Sequence, residues 1–283
     1  MIYAMVLIPF LLFVYILIVP LGTSVYYSLT KWKGIGAPQF IGLQNFQKLF
    51  QDKNFWLVVK NTLTYSLYCT IGQVGLALIV SLLINGRSLK LKKLHRAVIF
   101  FPVIMAPVVV GFVWKMVYNA DYGLLNTFLR AIGAQDSIQL WLDNPKLVLT
   151  TVSIPVIWQY VGLYMVMLLS SMSAIDESIY ECASLDGANG FQQAIHITMP
   201  LIWNTVKIVT ILVASGTIKI YDHIVALTNG GPGYYSMSMA MYAYKNTFTF
   251  FKYGYGSAIS VMILVVAGII GVGVQLLMGR KKA

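Results

Sequence analysis

Asp176-Glu177-Ser178-Ile179-Tyr180-Glu181-Cys182-Ala183-Ser184-Leu185-Asp186-Gly187-Ala188-Asn189-Gly190-Phe191-Gln192-Gln193-Ala194-Ile195-His196-Ile197-Thr198-Met199-Pro200 is the stretch on which the reading of this chain turns. Long apolar runs flank it on both sides. It holds four of the nine acidic residues and no Lys or Arg. A segment this polar, set between two runs of membrane-crossing length, lies outside the lipid. Its shape suits contact with a partner.

Composition points the same way. Of 283 residues, 58% are hydrophobic and only 10% charged, and the mean hydropathy is +0.75. A soluble domain of this size carries about 25% charged residues. The chain is therefore placed in the membrane class. Its net charge of +11 does not indicate nucleic acid, because the basic residues sit between and beside apolar runs, where they meet anionic lipid. Cys69 lies in an apolar run and Cys182 in the polar stretch, too far apart to suggest a disulfide or a metal site. The apolar N-terminal run has no basic region or small-residue cleavage site, so a retained helix is expected rather than a signal peptide.

Six runs reach the roughly 20 residues that span a bilayer. They fall near residues 2–29, 56–84, 97–118, 147–173, 201–228 and 256–278, so an all-α protein with six transmembrane helices is expected. Residues 31–55 read as an outer connection. Residues 121–145 read as a mixed loop with an amphipathic piece at Leu124, Leu125, Phe128, Leu129 and Ile132. Asn229-Gly230-Gly231-Pro232-Gly233 is a turn, followed by aromatic-rich sequence that fits one helix plus loop. Counting spans puts the basic cluster Arg87, Lys90, Lys92, Lys93 and Arg96, the acidic stretch and the Arg280-Lys281-Lys282 tail on one side. Dense Lys and Arg in short loops mark the cytoplasm, so both termini are expected there. Lys31, Lys33, Lys48 and Lys53 then fall outside, against the rule. Aromatic residues such as Tyr26, Tyr27, Trp32, Trp56, Trp114 and Trp141 cluster at the expected interfaces.

Within the acidic stretch, Asp176 suits an N-cap, with Glu177 in the first turn where the helix dipole favours an anion. Ile179, Cys182 and Ala183 share one face. Gly187 suits the left-handed position that ends a helix. Asn189 and Gln192 have capping-box spacing, and Pro200 suits the first turn of the fifth span. The result is helix, glycine turn and short helix, joined to spans four and five. Force transmission to the membrane helices and a plain amphipathic connector both fit this shape.

Glu181-Cys182-Ala183, three residues, Gly187, nine residues, then Ile197-x-Met199-Pro200 resembles the EAA motif of permease subunits in binding-protein-dependent ABC importers. Cys182 stands where that motif has its second Ala, and Met199 where it has Leu. The resemblance extends to Phe40–Phe46, Asn54-Phe55-Trp56, Asn61-Thr62, Phe100-Phe101-Pro102, Ala106–Val110, Asp121–Asn126, Tyr221-Asp222, Gly230–Gly233 and Tyr253–Ala258. It is nearest to the first permease of importers for maltose-type sugars, oligosaccharides or glycerol 3-phosphate. It implies the type I importer permease fold. Residues 1–56 would be the first helix and outer connection. Residues 57–279 would form the transmembrane domain, with a cytoplasmic coupling loop at 174–200, and 280–283 a basic tail. The implied coupling residues are Tyr180, Glu181, Cys182, Ala183, Asp186, Gly187, Ile197 and Pro200, docking on an ATPase subunit. The implied partners are a second permease, two ATPase subunits, an extracytoplasmic solute-binding protein, a sugar and membrane lipid, with no nucleic acid. The implied location is the bacterial cytoplasmic membrane, crossed several times.

The chain carries no Gly-x-x-x-x-Gly-Lys-Ser/Thr loop, so ATP and magnesium are expected on the partner ATPase and no cofactor on this chain. His95, His196 and His223 are scattered, and neither a catalytic nor a metal constellation is evident, so the chain is not expected to be an enzyme. Of the three, His196 lies in the acidic stretch, where it can face the ATPase. Polar residues inside the spans form a candidate substrate pathway: Asn61, Tyr65, Gln73, Trp158, Gln159, Tyr160, Lys219, Tyr221 and Asp222. Such residues are costly in lipid unless they are paired or hydrated. Aromatic faces with hydrogen-bonding groups suit a sugar, while helix-to-helix bonding is the plainer reading of the same residues. Lys219 and Asp222, three apart, are expected on one helix face as a neutralising pair. An ion-driven secondary transporter is the rival function, but Asp222 is the lone carboxylate within a span.

Overall fold

The computed structural model describes residues 2–86 and 89–279. Arg87 of the basic cluster and the Arg280-Lys281-Lys282 tail lie outside the described residues. Among the described residues the regular structure is helical, apart from a two-stranded antiparallel hairpin of β1 (Thr30–Lys31) and β2 (Gln39–Phe40). Among the described residues, four helical runs are long and apolar enough to cross a membrane: Met5–Ser28, Lys53–Asn85, Val148–Met172 and Tyr253–Gly279. Two sharply bent pairs bring the number to six if each pair is one span.

The first run is α1 (Ile2–Phe13), a π-helical turn (Val14–Ile18) and α2 (Val19–Ser28). Its most apolar stretch is not buried, so that surface is offered to lipid or to another subunit, while α2 packs against the last helix of the chain and buries Ser28. The hairpin follows, then α3 (Gln44–Gln51) and α4 (Lys53–Asn85). Asn45 of α3 donates to the carbonyls of Ser28 and Thr30, both at 2.8 Å, and so ties the hairpin to the end of α2. The 33 residues of α4 rise about 50 Å, well beyond one hydrocarbon core. The central helix is α8 (Val148–Met172). It packs on α4 and on α5 (Lys92–Ile104). A Cβ on Gly162 would run into the backbone of Ile99 and Phe100, so glycine there permits the close approach of α5 and α8.

The expected third span is not one helix. After α5 the chain bends by 100° into α6 (Pro107–Val117). The cause is Pro107, which pushes Ala106 into extended backbone at ψ 137°. The amphipathic piece expected in the next loop forms α7 (Leu124–Ala131).

The expected fifth span is also interrupted. The polar stretch forms α9 (Glu177–Leu185) and α10 (Gly190–Gln193), then a π-helical turn (Ala194–Thr198) and α11 (Met199–Leu201). A 71° bend leads into α12 (Trp203–Thr217). Pro200 therefore ends the helix before the bend and does not open the span. Both Pro20 and Pro200 sit two residues after a π-helical turn. A proline ring displaces the carbonyl four residues back, and the wider turn moves that carbonyl aside. Here the N–H of Val19 reaches Val14 O, and that of Met199 reaches Ala194 O.

Past α12 the helix stops, and α13 (Asp222–Leu227) begins after non-helical residues. The aromatic-rich segment supplies α14 (Met239–Tyr244) and a π-helical turn (Lys245–Thr249). The final helix is α15 (Tyr253–Gly279).

The two ends of the bundle differ as span counting predicts. Asn85, Lys92, Met172 and Tyr180 line one concavity at the end that carries the polar stretch. Trp203 donates to Met278 O at 3.2 Å, which puts the end of α15 there too. The hairpin, α3 and the start of α15 gather at the opposite end. There Asp52 caps α4 and accepts from Tyr242 at 2.5 Å and Tyr255 at 2.7 Å. Burial pushes the Asp52 carboxyl up. Hydrogen bonds from Tyr242, Tyr255 and the backbone of Asn54 and Phe55 outweigh it and hold the group below the usual carboxylate range.

Candidate functional site: a capped helix–turn–helix and a mid-bundle cavity

Local chemistry fixes the polar stretch at each joint. Asp176 accepts from the N–H of Ser178 at 3.0 Å and caps α9. That bond, foremost, keeps its carboxyl below the usual range. At the other end of α9, Gly187 takes φ +83°. Its N–H reaches Ser184 O at 3.1 Å, while the N–H of Ala188 reaches Ala183 O at 2.9 Å. These two bonds are a Schellman termination, which places a left-handed residue at Gly187. Asn189 and Gln192 then form a reciprocal capping box, with bonds of 2.8 and 2.9 Å. All three sequence-derived caps are present.

Gln193, which carries no sequence signal, closes the element. Its amide donates to Ser184 Oγ at 2.9 Å and to Ala188 O at 3.1 Å, so it clamps α10 against the end of α9. Tyr180 points inward, its hydroxyl 2.9 Å from Thr198 Oγ1. Of the expected coupling residues, Tyr180 thus braces the element, and Ala183 is half-buried. Glu181, Cys182, Asp186, Gly187 and Pro200 are exposed. Asp186, Gly187 and Ile197 meet around one concavity of about 310 Å³, with His196 on its wall.

Two apolar residues stand out from this polar surface. Leu185 is 89% exposed and Phe191 is 75% exposed, one on each side of the glycine turn. Water contact at such residues is unfavourable, so an exposed Leu and Phe beside four acidic side chains suit a partner with an apolar slot and a basic rim. The sequence signal was available: Leu two residues before Gly187 and Phe four after it interrupt polar sequence.

The second site lies at mid-bundle. Tyr160, Lys219, Tyr221, Asp222 and Gln73 line a cavity of about 280 Å³, so five of the nine expected pathway residues converge. The other four do different work. Asn61 donates to the carbonyls of Tyr234 and Met237 at 2.9 and 3.1 Å, and Tyr65 to Ser236 O at 2.9 Å, so both pin the loop before α14. Trp158 is part-exposed and packs edge-on against Trp114. Gln159 donates to Met105 O at 2.7 Å, the carbonyl freed where α5 breaks from α6, and its own oxygen lies 2.6 Å from His223 Nε2. A broken membrane helix needs this kind of substitute partner. Lys219 and Asp222 do not share a helix face, because the chain is non-helical between α12 and α13. They are not ion-paired. Instead both line the cavity, which leaves a cationic and an anionic group at its wall. Among the described residues, no group of His, Cys, Asp and Glu is arranged to hold a metal.

Comparison with known proteins gives one consistent result. Residues 73–282 match the family model described as "Binding-protein-dependent transport system inner membrane component". A probable ABC transporter permease protein of Bacillus subtilis is 32% identical over 226 residues, 79% of this chain and 76% of the relative. A diacetylchitobiose uptake system permease protein of Streptomyces coelicolor is 28% identical over 236 residues, covering 80% and 67%. The fold is that of a chain in the crystal structure of a bacterial alginate ABC transporter in complex with an alginate pentasaccharide-bound periplasmic protein. The TM-score is 0.85 at 23% identity, covering 99% of this chain and 93% of that one.

Proposed function

The chain belongs to the family of inner membrane components of binding-protein-dependent transport systems, and on that premise we propose that it is one half of the membrane channel of an ATP-driven carbohydrate importer. It is a multi-pass helical permease subunit. The remaining elements of the importer are other chains: a second permease, two ATPase subunits that bind ATP and magnesium, and an extracytoplasmic solute-binding protein. This chain hydrolyses nothing itself.

The observation that carries the proposal is the element from Asp176 to Pro200. Every joint in it is capped or clamped, it projects from one end of the bundle, and it presents Leu185 and Phe191 to solvent. A rigid element joined directly to α8 and α12 converts a push from a docked ATPase into helix movement. ATP-driven closure of the ATPases would turn the mid-bundle cavity outward, and hydrolysis would return it inward. Tyr160 and Tyr221 offer the cargo aromatic faces, while Lys219 and Asp222 offer a donor and an acceptor. The similarity to the diacetylchitobiose uptake system permease protein of Streptomyces coelicolor supports a sugar as cargo.

The test is coupling in proteoliposomes that hold the whole complex. Glu181→Lys reverses a charge on the docking face. Gly187→Pro cannot adopt φ +83°, since proline is held near −65°. Each is expected to abolish uptake while the permease remains in the membrane. Uptake at the wild-type rate in either variant would overturn the docking role.

A further inference from the structure

Three of the four lysines that sit on the wrong side for the positive-inside rule are gathered together, while Lys53 lies apart from them. Lys31, Lys33 and Lys48 meet Lys252 around an outer vestibule of about 650 Å³ that also holds Trp32 and Asp52. None of the four is ion-paired among the described residues. From this vestibule a continuous series of rings leads along the molecule. Trp32 contacts Tyr253 at 5.2 Å between centroids, Tyr253 contacts Phe248 at 5.8 Å, Phe248 contacts Tyr244 at 5.0 Å, and Tyr244 contacts Tyr221 at 5.2 Å. Tyr221 is a wall of the mid-bundle cavity. The series therefore begins in one polar cavity and ends in the other.

Three features distinguish it from core packing and from a lipid belt. The middle rings are open: Phe248 is 53% exposed and Tyr244 46% exposed. An interfacial belt gathers at one depth, whereas this series connects two sites at different depths. Tyr244 and Phe248 are positioned by the π-helical turn at Lys245–Thr249, a geometry that recurs at functional sites.

We propose that Trp32, Tyr253, Phe248, Tyr244 and Tyr221 form an aromatic ladder along which a sugar ring passes from the outer vestibule to the mid-bundle cavity, a proposal that rests on the carbohydrate reading above. The apolar face of a pyranose stacks on each ring in turn. Because successive rings are similar, no single step holds the sugar tightly. The vestibule lysines donate to sugar hydroxyls before the first stacking step.

The test uses the whole complex with its solute-binding protein in proteoliposomes, offered maltose, cellobiose, diacetylchitobiose and alginate oligosaccharides. For whichever of these the wild type imports, Phe248→Leu and Tyr244→Leu are expected to lower the number of sugars moved per ATP hydrolysed about five- to tenfold, the worth of one aromatic stacking contact. Phe248→Trp, which keeps a ring, is expected to stay within about twofold of wild type. Leu variants that import at the wild-type ratio would overturn the ladder, as would a Trp variant as impaired as Leu. Loss of the second permease on purification of the Leu variants would also overturn it, by showing an interface instead. If the wild type imports none of these sugars, it is the carbohydrate reading that fails, not the ladder alone.

Discussion

Gln159 shows how a single side chain serves a broken membrane helix. It satisfies the free carbonyl of Met105 and holds His223, so the end of α5, α8 and α13 meet at one amide. Gln159→Leu keeps the volume but orphans both partners, and an unsatisfied buried group costs about 1–3 kcal/mol. A lower melting temperature of the purified complex is the expected result, with no loss of the Asp176–Pro200 fold. Asp52 makes a pH-dependent counterpart at the other end. Its carboxyl lies below the usual range in the folded protein. The stability it contributes is therefore present above the unfolded value of about 3.9 and is lost as pH falls through the lower folded value. Asp52→Asn is expected to flatten the acid limb of the melting profile below about pH 4, as followed by a thermal scan at successive pH values. An unchanged acid limb would mean that the Tyr242 and Tyr255 bonds contribute nothing. Neither residue's role was legible in sequence. Gln159 read as a pathway residue because the break at Met105, which gives it its partner, comes from the distant Pro107.

Among the elements, the caps were readable because their cause is local, whereas the interruptions of spans three and five were not, although Pro107 marks the first of them. Asp176, Gly187, Asn189 and Gln192 act within a few residues of themselves, and each cap is where the spacing places it. The helix ends of α12 and α13 are different. The run 201–228 is apolar throughout, and nothing in its periodicity announces a gap at 218–221, so Lys219 and Asp222 read as one face. Helix packing gives the next expectation. Gly162→Ala places a methyl against the backbone of Ile99 and Phe100. Overpacking of this kind costs about 1–3 kcal/mol, and α5 must shift away from α8. Measured as a drop in melting temperature, the effect should exceed that of Gly75→Ala on α4, where a Cβ meets nothing within 4 Å.

At the scale of the whole molecule, the bundle separates two kinds of surface. One end carries the capped acidic element with Leu185 and Phe191, and the other carries the lysine-lined vestibule. Span counting put the basic cluster, the polar stretch and the end of the last span on one side, and Lys92, Tyr180 and Met278 do lie at one end of the bundle. The mid-bundle cavity between them was only half legible, since five of nine pathway residues reach it. On the proposed function, force enters at the Leu185–Phe191 surface and acts on that cavity. The most direct measurement is binding-protein-stimulated ATP hydrolysis together with sugar uptake, in proteoliposomes, for the double variant Leu185→Asp and Phe191→Asp. Both residues are exposed, so the permease itself should fold and insert as before. The expected result is that the ATPase subunits dissociate or hydrolyse ATP without stimulation, and that uptake ceases. Stimulated hydrolysis with uptake at the wild-type rate would contradict it.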